Sequence, residues 1–137
     1  MSIYIDTSIV VSFFIQDDHA AAARRWGRTD PRVTISDWTA TEFSSALSHH
    51  VRLGSLSDQE RKAAERAFDR WAMRGLVLEV GRERFQDARI LMRGHRRLRA
   101  PDALHLAIAR HEGLPLATLD GDMRDVAVAE GMAVIDL

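Results

Sequence analysis

A chain of 137 residues makes one domain, long enough to bury about two thirds of the surface its unfolded state exposes. Its 46% hydrophobic share excludes disorder, and the absence of cysteine excludes disulfide staples and thiolate metal sites. A net charge of -1 leaves no global footprint for nucleic acid. The longest apolar stretch, Ile9 to Ile15 with Ser12 inside it, is too short to cross a bilayer. Nothing basic precedes it, so it makes a poor signal peptide, and a cytoplasmic protein is expected.

Taken in chain order, Ser2 to Ile5 reads as a short strand, and Asp6-Thr7-Ser8 as a turn into helix. Asp17 to Gly27 is a second helical stretch with acids near its start and a glycine stop. Thr29-Asp30-Pro31 is turn chemistry, followed by the β-branched run Val33-Thr34-Ile35. Ser36 or Asp37 then caps a helix with Phe43, Ala46, Leu47 and Val51 at helical spacing, ended by Gly54. Ser57 and Glu60 form a capping box ahead of a helix that carries Ala64, Ala67, Phe68 and Trp71 on one face and stops by Gly75.

Leu76 to Leu78 is a strand and Arg82 to about Leu91 a helix. Pro101 suits the first position of the next helix, where a missing N–H costs nothing, and Ala103 to Ile108 is apolar nearly all round. Gly113 and Pro115 close that helix. Leu116 to Leu119, Asp122 to Glu130 and Met132 to Ile135 read as strand, helix and strand. The alternation predicts a single α/β domain over residues 1–137, with a mostly parallel sheet and helices on both faces.

In such a fold, strand C-termini and helix N-termini meet along one edge, where ligand sites form. Four acids are expected there. Asp6 and Asp120 end the first and fourth strands, Asp102 lies in the first turn of the Pro101 helix, and Glu42 lies on the Phe43 helix. Each has a structural explanation, because acids at helix starts satisfy open N–H groups and the dipole. Together they are harder to dismiss. Two unit charges about 5 Å apart at an effective dielectric near 20 repel by about 3 kcal/mol. Gathered carboxylates must protonate or hold a cation. With oxygen donors alone, the cation expected is Mg2+ or Mn2+. Such an ion activates water and stabilises an in-line phosphoryl transition state, so the chemistry implied is phosphodiester hydrolysis.

Thr7, Ser8 and Thr118 flank two of the acids and can hydrogen-bond a bound water or a phosphate oxygen, or serve as caps and turns. Asp122 is either an additional ligand or a helix cap. Lys62 is the only lysine among nineteen basic residues, and Arg93, His95, Arg96, Arg97 and Arg99 crowd upstream of Asp102. Those arginines can fork onto an RNA backbone or form a solvated helix end. His105 reads as a packed, hydrogen-bonded core residue. His49 and His50 diverge by about 100° and do not readily share a metal.

The segments Ile3-Tyr4-Ile5-Asp6-Thr7-Ser8, Thr41-Glu42, Arg99-Ala100-Pro101-Asp102-Ala103-Leu104-His105-Leu106-Ala107 and Thr118-Leu119-Asp120 resemble the PIN domain. More closely, they resemble the VapC ribonuclease toxins of toxin–antitoxin pairs, in order, spacing and length across essentially the whole chain. The resemblance implies a Mg2+-dependent endoribonuclease with Asp6, Glu42, Asp102 and Asp120 as metal-binding acids. It also implies a homodimer and a cognate antitoxin that inserts a tail into the acidic cleft.

Rival readings fit less well. A phospho-acceptor receiver domain needs paired acids after its first strand and a late-strand lysine, whereas Asp6 stands alone and Lys62 lies in the capping-box helix. A haloacid-type phosphatase needs an aspartate where Ser8 stands. A non-catalytic, regulatory metal-binding or partner-binding module remains as the alternative, although it has no use for four mutually repelling acids.

Overall fold

The computed structural model describes residues 1–137. Strand β1 (Ile3–Ile5) leads into α1 (Thr7–Phe14) and α2 (Ala20–Gly27), then β2 (Val33–Ser36), α3 (Asp37–Arg52) and α4 (Asp58–Ala72). After β3 (Leu76–Leu78) come α5 (Arg82–Gly94), α6 (Ala100–His111), β4 (Leu116–Ala117), α7 (Gly121–Ala129) and β5 (Val134–Ile135). All strand pairs are parallel, in the order β3-β2-β1-β4-β5. The chain therefore winds outward from β1 to one side through β2 and β3, and to the other through β4 and β5. The gap between β1 and β4 is the topological switch point, at whose C-terminal end open α/β sheets bind ligands.

Alternation along the strands divides the core in two. Tyr4 and Leu116 face one side, where they pack with Ala103, Leu106 and Ala107 of α6, Leu91 of α5 and Met123 of α7. Ile5 and Ala117 face the other, with Ile9 and Val10 of α1, Phe43 and Leu47 of α3 and Phe68 of α4. Both faces are covered, as parallel sheets require. No helix is long and apolar enough to cross a membrane.

Several local signals are realised as read. Ser57 closes its capping box with Glu60, Ser36 rather than Asp37 caps α3 (in a further box with Thr39), and Gly54 ends α3 at φ 76°, a left-handed geometry that glycine tolerates without strain. Other boundaries move. Residues Asp6 to Ser8 are not a turn: Asp6 is itself the N-cap, and α1 begins at Thr7. Helix α2 starts at Ala20 rather than Asp17, because the Asp17 side chain is committed to the Ser12 hydroxyl and the His19 amide. Pro101 takes the second helical position, since Ala100 already belongs to α6. Helix α5 runs on to Gly94. Strand β4 stops at Ala117 because the Thr118 hydroxyl turns to bond Asp6 and the Asp120 amide, which ends the ladder.

The second core rests on an aromatic stack. Phe43 is fully buried and lies 4.4 Å from Phe68, ring centre to ring centre, with Phe14 edge-on to both. Phe43→Ala should lower unfolding stability in urea by roughly 3–5 kcal/mol. A loss below about 1 kcal/mol would show that this stack does not hold α3 and α4 to the sheet.

Candidate active site

Each acid reaches the C-terminal edge of the sheet by a different route. Asp6 follows β1 directly and is 3% exposed. One of its oxygens accepts from the Ser8 hydroxyl at 2.6 Å and the Ile9 amide at 3.4 Å, and the other from the Thr118 hydroxyl at 2.5 Å. Asp120 follows β4 and caps α7, accepting from the Met123 amide at 2.8 Å. The Thr118 hydroxyl links the two segments, donating to Asp6 while accepting from the Asp120 amide at 3.0 Å. Asp102 stands in the first turn of α6, which runs antiparallel to the strands and so begins at the same edge. Glu42 lies in the second turn of α3, which starts where β2 ends.

The electrostatics reflect this convergence. Burial pushes the Asp6 carboxyl above its usual range, against the opposing hydrogen bonds from Ser8 and Thr118. Asp102 is also raised, first by burial and then by the charge of Asp120, with Asp6 adding to it and Arg99 opposing. Glu42 goes the other way. Burial works against its charge, but hydrogen bonds from His105 and Thr7, with the charges of His105 and Arg99, hold it below the ordinary carboxylate range. Asp102 thus feels the charge of two neighbouring aspartates with the exposed Arg99 opposing, and Glu42 is held apart by its own donors. No three acidic or imidazole side chains close on a common point tightly enough to cage an ion unaided.

The hydroxyls singled out from the sequence all meet acids. Thr7 donates to Glu42 at 2.8 Å, and Ser8 and Thr118 donate to Asp6. The arginine cluster divides. Arg99 is the N-cap of α6 and approaches Asp102 at 3.6 Å, whereas Arg97 pairs with Asp122 at 3.7 Å beside α7. Arg93 and Arg96 are exposed, and Arg96 lines a shallow hollow against α7 with Arg97. Arg93 stands in the last turn of α5, the helix end expected of it, whereas Arg96 and Arg97 lie in the connector to α6, anchored by buried Leu98. Asp122 is exposed, and its one ion pair is the one to Arg97; the cap of α7 is Asp120.

Sequence reasoning missed an open groove of about 660 Å³ between α1 and α3, running from Thr7, Ser8 and Glu42 past Ser45 and His49 to Arg52, with Arg99 on its rim. Positions 42, 45, 49 and 52 share one helical face, a spacing that was available in the sequence. His105 is buried and hydrogen-bonded, as expected for a core histidine, but its partner is Glu42, which nothing local in the sequence indicates.

A family model for the PIN domain matches residues 3–129. The chain belongs to the PIN domain family. Within it, the chain is 35% identical to Ribonuclease VapC46 of Mycobacterium tuberculosis, over 98% of this chain and 96% of that protein. The same PIN fold recurs in VapC20 of Mycobacterium tuberculosis, a toxin that cleaves the sarcin–ricin loop. That structure aligns with a TM-score of 0.74 at 22% identity, covering 97% of this chain and 98% of the other. A toxin–antitoxin complex from Klebsiella pneumoniae aligns at 0.62 and 18% identity, covering 86% of each chain.

The raised pKa of Asp102 in this PIN domain fixes a sign. A carboxyl raised in the folded state contributes stability that is fully present below its unfolded pKa and lost as pH rises through the folded one. In chelator, Asp102→Asn should therefore melt at a higher temperature than the parent near neutral pH, with the gain vanishing at acid pH. Thermal melts across that range decide it; a lower melting temperature for the variant at neutral pH would refute the repulsion.

Proposed function

We propose that this PIN domain is a VapC-type endoribonuclease toxin that hydrolyses RNA phosphodiester bonds with Mg2+ or Mn2+ at Asp6, Glu42, Asp102 and Asp120. The observation that carries the reading is the aspartate set at the switch point of the sheet, with Asp6 buried and Asp102 repelled by Asp6 and Asp120. Relatedness to a ribonuclease along nearly the whole chain supports it. The donor set fits the ion: every group is an oxygen, Asp6 is raised by burial, and Asp102 is raised by burial and by the charges of Asp120 and Asp6, which a cation relieves. The lack of a closed three-acid cage also fits, because Mg2+ keeps several waters and is commonly held by one or two carboxylates together with substrate phosphate. When bound, such an ion supplies an activated water and neutralises charge on the scissile phosphate.

The residues of the chain supply the rest. Ser8, Thr118 and the Ile9 amide hold Asp6 in one orientation, so no reorganisation is needed when substrate arrives. Arg99, exposed beside Asp102 and Glu42, is placed to draw a phosphate toward an acidic edge that would otherwise repel it. The α1–α3 groove continues from that edge and offers single-stranded RNA a polar path ending at Arg52. Asp122 stands as an outer group of the site through its Arg97 pair, and Arg93, Arg96 and Arg97 as a secondary phosphate contact.

The same reading assigns a homodimer, a cytoplasmic site of action and a cognate antitoxin. An antitoxin arginine in the acidic cleft would relieve the same repulsion as the metal and exclude it. Purified protein in Mg2+ should cleave a mixture of transfer and ribosomal RNA, and EDTA should stop it. Asp102→Asn should reduce cleavage by about a hundredfold or more with the fold retained by circular dichroism. Equal cleavage by parent and variant would rule the site out. Asp6→Asn is the less clean test, because Asp6 also caps α1.

A further inference from the structure

Two fully buried polar side chains, Tyr4 and His105, lie under the acid edge. The Tyr4 hydroxyl is 2.9 Å from the Ser36 hydroxyl and 2.8 Å from Nδ1 of His105, and Nε2 of His105 bonds Oε1 of Glu42. The Ser36 hydroxyl lies 3.3 Å from that of Thr39. The chain of contacts thus runs unbroken from the N-cap of α3, through β1 and α6, back to the second turn of α3.

Its direction follows from what each group can do. An ionised carboxylate only accepts, so Nε2 must carry the hydrogen. The buried Tyr4 phenol keeps its proton, as any phenol does near neutral pH. Nδ1 and the Tyr4 hydroxyl share the next hydrogen bond, and the Ser36 hydroxyl bonds the same Tyr4 oxygen, so both ring nitrogens of His105 are engaged and the ring is fixed in orientation. Thr7 donates to the same Glu42 oxygen at 2.8 Å. Both donors fall on Oε1, which leaves Oε2 without a protein donor on a residue that lines the groove.

We propose that His105, seated by Tyr4, is a positioning residue that clamps Glu42 through Oε1 and presents Oε2 to the reacting centre. This rests on the reading of Glu42 as a member of the cleavage site. A free glutamate on a helix surface samples several rotamers, and the clamp removes that freedom before substrate binds.

The test is a pair of isosteric variants. The amide nitrogen of glutamine reaches roughly the position of Nε2 and that of asparagine the position of Nδ1, so His105→Gln keeps a donor for Glu42 and His105→Asn does not. His105→Asn should weaken Mn2+ binding, measured by electron paramagnetic resonance without RNA, by about tenfold or more. It should lower kcat for RNA cleavage with KM little changed. His105→Gln should restore most of both, and Tyr4→Phe should fall between them. Losses that simply follow melting temperature, equal in Asn and Gln variants, would overturn the proposal. Crystal structures of the two variants read the clamp independently of chemistry: Glu42 should leave Thr7 in His105→Asn and stay in His105→Gln. A parent protein that neither binds Mn2+ nor cleaves RNA would refute the nuclease reading, while those Glu42 positions would still decide the clamp. Should either His105 variant fail to fold, Tyr4→Phe with Thr7→Val carries the same structural comparison.

Discussion

Negative charge is held out of water at the C-terminal edge of the sheet, and much of the surrounding structure answers that constraint. A buried carboxylate is costly unless hydrogen-bonded or paired. Asp6 is satisfied by three donors drawn from α1 and from the far side of β4. Glu42 is satisfied by donors from α1 and α6. The donors saturate individual oxygens, yet none of those on Asp6 carries a positive charge, so the aspartates still repel. A cation brought to that edge would relieve the repulsion on Asp102.

On the proposed function that relief would link its two partners. A divalent ion with RNA phosphate and an antitoxin arginine would be alternative ways to neutralise one field, so catalysis and its inhibition would compete for it. Local stability is given up at the site, a trade expected where function requires strained or repelling groups. The stability is recovered in the two apolar cores, above all in the Phe14–Phe43–Phe68 stack on the α1, α3 and α4 side of the sheet.

Asp6 and Glu42 illustrate two ways to order a carboxylate. Asp6 sits at a helix N-terminus, where a short side chain and backbone geometry leave little freedom. Glu42 is longer and projects from mid-helix, so its orientation depends on contacts from other elements. The Tyr4–His105 pair provides those contacts from inside the core, where water cannot compete and each hydrogen bond is correspondingly directional.

Much was legible in the chain. The cap at Ser36, the capping box at Ser57, the Gly54 stop and the apolar stripe of α3 are written in near-neighbour spacings, because helices form from near neighbours. The positions of Asp6, Asp102 and Asp120 beside helix starts followed from the same local grammar. The groove face of α3 was present in the spacing of Glu42, Ser45, His49 and Arg52, but its meaning required α1 to lie opposite. Tertiary structure alone decided which hydroxyl meets which acid: Thr118 reaches Asp6 across 112 residues, His105 reaches Glu42 across 63, and Tyr4 reaches His105 across 101. These pairings exist because the sheet order seats β4 against β1 and lays α6 over Tyr4. Periodicity specifies which face of an element is buried, whereas the identity of the neighbour across that face is set by the packing of the whole chain.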